Sequence, residues 1–234
     1  MSERVYDIVA FGAHAADVEF SSGAVLAKHA MRGDRVMIVH ITLGEAGHSK
    51  MSLADYAEQK KVECQQAAAV LGTEVRWLAH VDAALPANPE VELEICDILR
   101  ELRPRIVTTH WRGSFHRDHM LSHHLVMRGV ALARSTSCQR ALPPHSVKKI
   151  LFPENWEDPQ DFRPEIYIDV SESYDRWLEA ANKYALFRGE VSPFPYRQYY
   201  ESLAFIRGAE ARCGKAATLM PSQEIWKTAQ AYLD

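Results

Sequence analysis

Two short segments of the sequence concentrate side chains that bind metal ions. In FGAHAADVEF (11–20), His14 and Asp17 lie three residues apart. A second segment, FHRDHMLSHH (115–124), supplies further candidates, which are His116, Asp118, His119, His123 and His124. Zinc accepts imidazole nitrogen and carboxylate oxygen together, and a catalytic zinc site needs only three protein ligands besides water. Together the segments predict a catalytic site with one divalent metal ion.

Each segment also has a purely structural interpretation. A histidine before a helix is often a cap or a surface residue, and Asp17 at a helix start suits capping and the helix dipole. Asp118, two residues after His116, could likewise be a cap. The occurrence of both segments directly after predicted strands is what favours metal binding.

The apolar pattern predicts an α/β fold with a parallel sheet. Strand VYDIVAFGA (5–13), a helix over about 19–31 and strand RVMIVHIT (35–42) form a βαβ unit. The alternation continues with helices over 56–71, 90–102 and 118–134, strands over 74–78 and 105–110, later strands over 147–152 and 165–170, and final helices over 173–187 and 196–213.

We therefore predict a Rossmann-like three-layer α/β sandwich with a mostly parallel sheet. The whole chain, 1–234, is expected to form one domain, with a core in 1–135 and C-terminal strands and helices in 136–234. Ligands of such sheets bind beyond the carboxyl ends of the strands. Residues that follow predicted strands are expected to meet at that rim, and they are His14, Asp17, Glu45, His110 and His116.

Composition and charge narrow the function. The net charge is −4 with acidic and basic residues intermixed, so we expect no nucleic-acid partner. The opening residues do not resemble a signal peptide, and no apolar run approaches the ~18 residues of a membrane span, which predicts a cytoplasmic protein without a membrane partner. The four cysteines form no CxxC pair, which argues against a thiolate zinc site.

Two features of the C-terminal part bear on partners. PFPYRQYY (193–200) could line a sugar-sized pocket by stacking, although core packing is the commoner use of such residues. The apolar faces of the last two predicted helices leave a homo-oligomer open. The expected partner is a small-molecule substrate, either an N-acetylated sugar or a small carboxylic acid.

The two metal-binding segments resemble the motifs of the PIG-L/LmbE family of zinc-dependent N-deacetylases. AHAAD (13–17) is similar to the family's AHPDD, and HRDH (116–119) is similar to its HPDH. Between them, TLGEAG (42–47) and KKVECQQAAAVLG (60–72) match the family's glutamate turn and the helix after it. The resemblance extends over most of the chain.

This resemblance implies a cofactor, a reaction and residue roles. His14, Asp17 and His119 would bind Zn²⁺, and a water activated by the metal would remove an acyl group from the nitrogen of a small sugar-like substrate. His116 would polarise the carbonyl or stabilise the oxyanion, and Asp118 would orient His116 through a hydrogen bond. His123, one turn after His119, is a substitute ligand.

The chain departs from the family pattern at two positions. Ala16 stands where the family has the Asp expected as general base, and the loss of such a base typically lowers the rate by about 10²- to 10⁴-fold. Glu45 is the best substitute by chain order, although a structural glutamate is an equal interpretation; Asp118 and His48 are others. Lys60 replaces an arginine, and lysine cannot make a planar bidentate contact.

The altered motif leaves two further functions open. AHAAD resembles the first motif of the 4-oxalomesaconate hydratase branch, and such a hydratase would need cations for its anionic substrate. The candidates are Lys50, Lys60, Arg112, Arg117 and Arg197. A catalytically impaired metal- or sugar-binding protein is the third interpretation, but the retained His116 and Asp118 argue against it. We therefore predict a zinc-dependent N-deacetylase-like hydrolase, with the hydratase as alternative.

Overall fold

The computed structural model describes residues 6–223 and contains one seven-stranded sheet. The predicted start of the first strand at Val5 and both ends of the predicted domain, 1–5 and 224–234, lie outside the described residues. The strands are β1 (Ile8–Gly12), β2 (Val36–His40), β3 (Glu74–Trp77), β4 (Ile106–Thr108), β5 (Lys149–Pro153), β6 (Ile166–Asp169) and β7 (Ala216–Pro221).

The strand order positions the candidate residues. It runs β3-β2-β1-β4-β5-β7-β6, and β1 to β5 are parallel to one another. The predicted mostly parallel α/β sandwich is thus confirmed. Because the chain places β2 and β3 on one side of β1 and β4 and β5 on the other, a crevice opens beyond the carboxyl ends of β1 and β4.

Seven helices are found among the described residues, and they cover both faces of the sheet. They are α1 (Asp17–Ser21), α2 (Gly23–Met31), α3 (Leu53–Leu71), α4 (Pro89–Leu102), α5 (Arg117–Arg134), α6 (Tyr174–Ala181) and α7 (Tyr196–Ala211), and a 3₁₀ turn spans Glu45–Gly47. None of these described helices has an apolar stretch long enough to cross a membrane.

The two faces of the sheet form two separate cores because consecutive strand residues point to opposite sides. Ile8 and Ala10 of β1 pack into one core together with residues of α1, α2, α3 and α6. Val9 and Phe11 pack into the other with residues of α4 and α5. This two-sided burial explains the continuous apolar runs in the sequence.

The predicted single helix over 19–31 is instead two helices that meet at Ser22. The indole N–H of Trp177 donates to the backbone C=O of Glu19 at 2.9 Å, which is the carbonyl that Gly23 would use in a continuous helix. A Cβ at Gly23 would also lie 2.9 Å from Cδ1 of Trp177. Packing of a distant tryptophan therefore interrupts the helix.

The C-terminal part differs most from the prediction. The helix expected over 173–187 ends at Ala181. Turns follow it, and Tyr184 and Phe187 in these turns are buried. The sequence analysis missed β7, which lies between β5 and β6 and is antiparallel to both. Because β7 lies on the far side of β5, it does not contribute to the crevice between β1 and β4.

Candidate metal centre

The turn after β1 presents His14 and Asp17 on one side. The backbone N–H of His14 donates to Oδ2 of Asp17 at 2.8 Å, and this oxygen lies 3.2 Å from Nδ1 of the same histidine. Ala16 has a φ of 104°, which residues with a Cβ rarely adopt. Its N–H donates to Oε2 of buried Glu19 at 3.2 Å. A Cβ at Gly44 would lie 3.0 Å from Cβ of His14, so a glycine permits this close approach.

The chain after β4 brings three more imidazoles to this turn. Oδ2 of Asp17 lies 3.4 Å from Nε2 of His119 and 3.2 Å from Nε2 of His110. The ring centroid of His116 lies 4.8 Å from that of His14 and 4.7 Å from that of His119. The structure therefore brings the two metal-binding segments together at the crevice between β1 and β4.

The atoms around Asp17 fit a divalent cation. Nδ1 of His14 and Nε2 of His119 both lie within 3.4 Å of Oδ2 of Asp17, close to the about 3.3 Å between ligands of a tetrahedral zinc ion. Nε2 of His119 is buried and has no hydrogen-bond partner in the described part of the chain. Burial opposes protonation of His119, but the carboxylates of Asp17 and Asp158 raise its pKa to about 9. A cation would replace this proton.

A buried carboxylate, Asp158, supports two of the imidazoles from behind. Its oxygens lie 2.9 Å from Nδ1 of His119 and 2.9 Å from Nδ1 of His110. The backbone N–H of Ala13 donates to Nε2 of His110 at 3.0 Å, so this nitrogen is an acceptor and the ring proton lies on Nδ1, facing Asp158. His110 therefore fits a supporting role, while Nε2 of His119 remains available to a metal.

His116 is the N-cap residue of α5. A backbone N–H group of the first turn of the helix sets its tautomer. Its Nδ1 accepts the backbone N–H of Asp118 at 3.3 Å, which leaves the proton of the neutral ring on Nε2. Burial and the neighbouring His119 and His14 lower the pKa of His116. The expected contact, in which the Asp118 carboxylate accepts a hydrogen bond from His116, is not the one found. That carboxylate accepts the N–H of Ala83 at 2.9 Å and lies 3.7 Å from Nε2 of His14.

Glu157 adds a carboxylate to the site. Its Oε2 lies 3.6 Å from Nε2 of His119, and its side chain is 15% exposed. Burial raises the pKa of Glu157, and the charge of Asp17 adds to this effect. The backbone C=O of Glu157 accepts the N–H of Phe115 at 3.0 Å and the hydroxyl of Ser114 at 2.9 Å. These bonds fix the Glu157 segment against the loop that leads into α5.

Comparison with known families adds to this geometry. The family described as "PIG-L: GlcNAc-PI de-N-acetylase" matches residues 9–130, more than half of the chain, and this range contains both metal-binding segments. The chain belongs to the PIG-L family. The resemblance of AHAAD and HRDH to the motifs of this family is thereby confirmed.

Two curated relatives of this PIG-L protein carry the names of different reactions. The 4-oxalmesaconate hydratase of Pseudomonas putida is 25% identical in an alignment 213 residues long, which covers 86% of this chain and 79% of the relative. The 1D-myo-inositol 2-acetamido-2-deoxy-alpha-D-glucopyranoside deacetylase 2 of Catenulispora acidiphila is 30% identical in an alignment 172 residues long, which covers 59% of this chain and 57% of the relative. This alignment therefore spans little more than half of that deacetylase. The relatives are enzymes of two reaction classes.

Solved structures share the fold of this PIG-L protein. GalB, the 4-carboxy-2-hydroxymuconate hydratase of Pseudomonas putida, superposes with a TM-score of 0.86 at 20% identity, covering 98% of this chain and 100% of GalB. The N,N'-diacetylchitobiose deacetylase of Pyrococcus horikoshii superposes with a TM-score of 0.80 at 20% identity, covering 93% of this chain and 84% of the deacetylase. These likenesses confirm the fold class.

Some residues singled out in the sequence of this PIG-L protein have structural contacts instead. Nδ1 of His123 lies 2.9 Å from the backbone C=O of His110, and its ring packs against Phe152, which places it in the core and does not favour it as a substitute ligand. Nδ1 of His48 accepts the backbone N–H groups of Lys50 and Met51. His48 therefore shapes the turn before α3.

Lys60 and Glu45 also contact backbone. Lys60 is only 2% exposed and donates from Nζ to the C=O of Ala15 at 2.9 Å, so it stabilises the turn that carries His14 and Asp17. Oε1 of Glu45 accepts the N–H of Asp82 at 3.0 Å. Its Oε2 is buried and has no hydrogen-bond partner among residues 6–223, which keeps Glu45 a candidate proton acceptor.

The sequence analysis did not single out three carboxylates at the site. Glu157 and Asp158 follow β5, and Asp82 follows β3. Each comes just after the carboxyl end of a parallel strand, where His14 and His110 also lie. The same positional argument could have found them, but single acids in loops are common and none of these forms a motif with a histidine.

The close contact between the two loops at His116 and Glu157 depends on Gly113. A Cβ at Gly113 would lie 1.9 Å from the backbone oxygen of Gln160. We expect Gly113→Ala to lower the free energy of unfolding by about 1–3 kcal/mol or more, because the backbone must move. Urea unfolding measures this change. The matched control is Gly47→Ala, where a Cβ meets no atom within 4 Å; an equal loss in both variants would contradict the prediction.

Proposed function

We propose that this protein is a zinc-dependent hydrolase that removes an acyl group from the nitrogen of a small, neutral, sugar-like substrate. The observation that carries the proposal is that one oxygen of Asp17 lies within 3.4 Å of both Nδ1 of His14 and Nε2 of His119, with Glu157 and His116 beside His119. Such an arrangement combines metal ligands, a proton acceptor and a hydrogen-bond donor in one crevice.

Three side chains would hold the metal ion. These are Nδ1 of His14, the carboxylate of Asp17 and Nε2 of His119, which leave a coordination position for a small molecule. Zinc bound there would polarise a carbonyl and lower the pKa of a water toward about 7. The turn is held in place by the bonds of Ala16 to Glu19 and of Ala15 to Lys60.

Ala16 cannot accept the proton of the attacking water. We propose that Glu157 accepts this proton instead. Its Oε2 lies 3.6 Å from Nε2 of His119, so a water beside that nitrogen would be within hydrogen-bond reach of the carboxylate. Glu45 is the competing candidate, but one of its oxygens already accepts the N–H of Asp82. Glu157 would then return the proton to the departing amine.

His116 would stabilise the developing negative charge on the carbonyl oxygen. The Asp118 N–H bond to Nδ1 leaves a proton on Nε2, so the neutral ring is a donor at its other edge. Its ring lies 4.7 Å from that of His119, which puts the donor beside the proposed metal. Asp118 contributes through its backbone and not through its carboxylate.

The surroundings of the site favour a neutral substrate. Trp156 directly precedes Glu157 in the sequence, and its ring lies 5.9 Å from that of Tyr196. The rings of Trp156 and Phe194 stack at 3.8 Å next to Tyr196. Aromatic faces beside carboxylates suit a sugar ring with its hydroxyl groups better than a polycarboxylate.

The cationic residues suggested for an anionic substrate are mostly engaged elsewhere. Lys60 is buried against Ala15, Arg197 pairs with Glu201, and Arg117 lies 3.3 Å from Asp118. Each of these three cationic groups already contacts another group of the protein. This arrangement supports the hydrolase over a hydratase that must hold several carboxylates.

A hydratase on an unsaturated carboxylic acid is the second candidate because of two observations. Ala16 replaces the carboxylate expected of a deacetylase, and the alignment with the 4-oxalmesaconate hydratase extends over 86% of this chain. Hydration of a conjugated double bond expels no amine, although it still takes a proton from water and delivers one to carbon.

A paired assay of the zinc-loaded protein tests the ranking. We expect amine release from a panel of N-acetyl sugars, and no loss of ultraviolet absorbance with unsaturated di- and tricarboxylates. Ala16→Asp is expected to increase amine release, because it restores the carboxylate expected as general base. Asp also tolerates the positive φ of this position better than most residues. Clear hydration, with no amine released by either form, would reverse the ranking.

A further inference from the structure

Both imidazoles proposed as zinc ligands have a carboxylate at the ring nitrogen that faces away from Asp17. Asp158 fills this place for His119, at 2.9 Å from Nδ1. For His14 the corresponding contact is from Nε2 to Oδ1 of Asp82, at 3.1 Å. A metal-binding histidine commonly donates its other N–H to a carboxylate, which fixes the orientation of the ring.

Asp82 is held by backbone groups from the neighbouring loop. Its Oδ2 accepts the N–H of Ala46 at 3.0 Å, and its own N–H donates to Oε1 of Glu45 at 3.0 Å. The next residue, Ala83, has a φ of 61° and donates its N–H to Oδ2 of Asp118 at 2.9 Å. The loop after β3 is thus tied both to the turn after β2 and to the start of α5.

Asp118 is the only other carboxylate within 4 Å of Nε2 of His14 among the described residues, and it is placed less well. Its Oδ2 lies 3.7 Å from Nε2 and already accepts the N–H of Ala83, while its Oδ1 lies 3.3 Å from Arg117. Oδ1 of Asp82 lies closer to Nε2 of His14, at 3.1 Å. The geometry favours Asp82 as the acceptor.

We propose that Asp82 is a positioning residue of the metal centre. By accepting the Nε2 proton of His14, it turns the ring so that Nδ1 faces the carboxylate of Asp17. The inference rests on the metal site of the proposed function and not on the reaction. It also assigns a role to the contact between Glu45 and Asp82, since this hydrogen bond fixes the loop that carries the acceptor.

Asp82→Asn tests the role with little change in shape. Oδ2 of Asp82 accepts the N–H of Ala46, and its Oδ1 lies 3.1 Å from Nε2 of His14, whereas an amide has only one oxygen. One of the two N–H groups therefore faces an NH₂ group. We expect the zinc dissociation constant, measured by competition with a chromophoric chelator, to rise about 10- to 100-fold.

The matched control is Glu94→Gln. Glu94 of α4 forms a similar pair with His80 of the same loop, at 2.7 Å but at the surface, and its variant should bind zinc as the wild type does. Thermal unfolding of the metal-free proteins separates a loss of fold from a loss of metal. Equal zinc affinity in wild type and Asp82→Asn would overturn the inference and leave the proposed function standing, whereas a wild type that binds no zinc would overturn both.

Nitrogen-15 NMR of the zinc-loaded protein gives a second readout. We expect His14, assigned by comparison with His14→Gln, to carry its proton on Nε2 and to bind zinc through Nδ1, with faster exchange of this proton in Asp82→Asn. The stoichiometry should be one zinc per chain. Two zinc ions per chain, or coordination of His14 through Nε2, would make Asp82 a ligand and overturn the positioning role.

Discussion

Asp17→Asn is expected to weaken zinc binding by more than about 100-fold, beyond the effect of removing a residue that only orients a ligand. One oxygen of Asp17 lies within 3.4 Å of both Nδ1 of His14 and Nε2 of His119 and accepts the N–H of His14. The amide keeps the size of the side chain but removes the negative charge between two imidazoles. Competition with a chromophoric chelator measures the affinity, and turnover should fall in proportion to bound zinc.

A surface pair provides the control for this variant. Asp34 lies 2.7 Å from Nδ1 of His29, near the amino-terminal end of β2, far from the carboxyl ends where Asp17 lies. Asp34→Asn should leave the zinc affinity unchanged. If Asp17→Asn bound zinc as tightly as this control, the metal would have to be held by other groups, and the proposed ligand set would be wrong.

The fold could be predicted from the sequence where local pattern and tertiary structure agree. The alternating strands and helices up to α5 each bury an apolar face that is visible as periodicity, and the sheet is parallel as this pattern requires. The break at Ser22 could not be predicted, because it depends on a hydrogen bond from Trp177, far along the chain. β7 was missed for a similar reason, since its pairing with β5 and β6 is set by long-range contacts.

The candidate site divides in the same way. His14, Asp17 and His119 lie in compact motifs whose spacing suggests a metal, and the structure brings them together. Asp82 and Asp158 act on histidines distant in sequence, so no short motif contains either pair. What a sequence reveals about such a centre is therefore mainly its ligands, while the groups that orient them emerge from the sheet topology.

Because Ala16 cannot accept a proton, another side chain must do so. Two carboxylates compete for the role, and they differ in their contacts. Oε1 of Glu45 accepts the N–H of Asp82, which ties this residue to the loop after β3. Glu157 lies beside Nε2 of His119 with its side chain still partly exposed, so it is the carboxylate that a water at the metal would meet.

Glu157→Gln is therefore expected to lower kcat for amine release by about 10²- to 10⁴-fold, with zinc affinity close to that of the wild type. The amide preserves shape but accepts no proton, so the loss should fall on turnover and not on the metal. Glu45→Gln is the competing variant, and Glu165→Gln, at an exposed position of the same part of the chain, is the control. Unchanged kcat in Glu157→Gln together with a large loss in Glu45→Gln would transfer the role to Glu45.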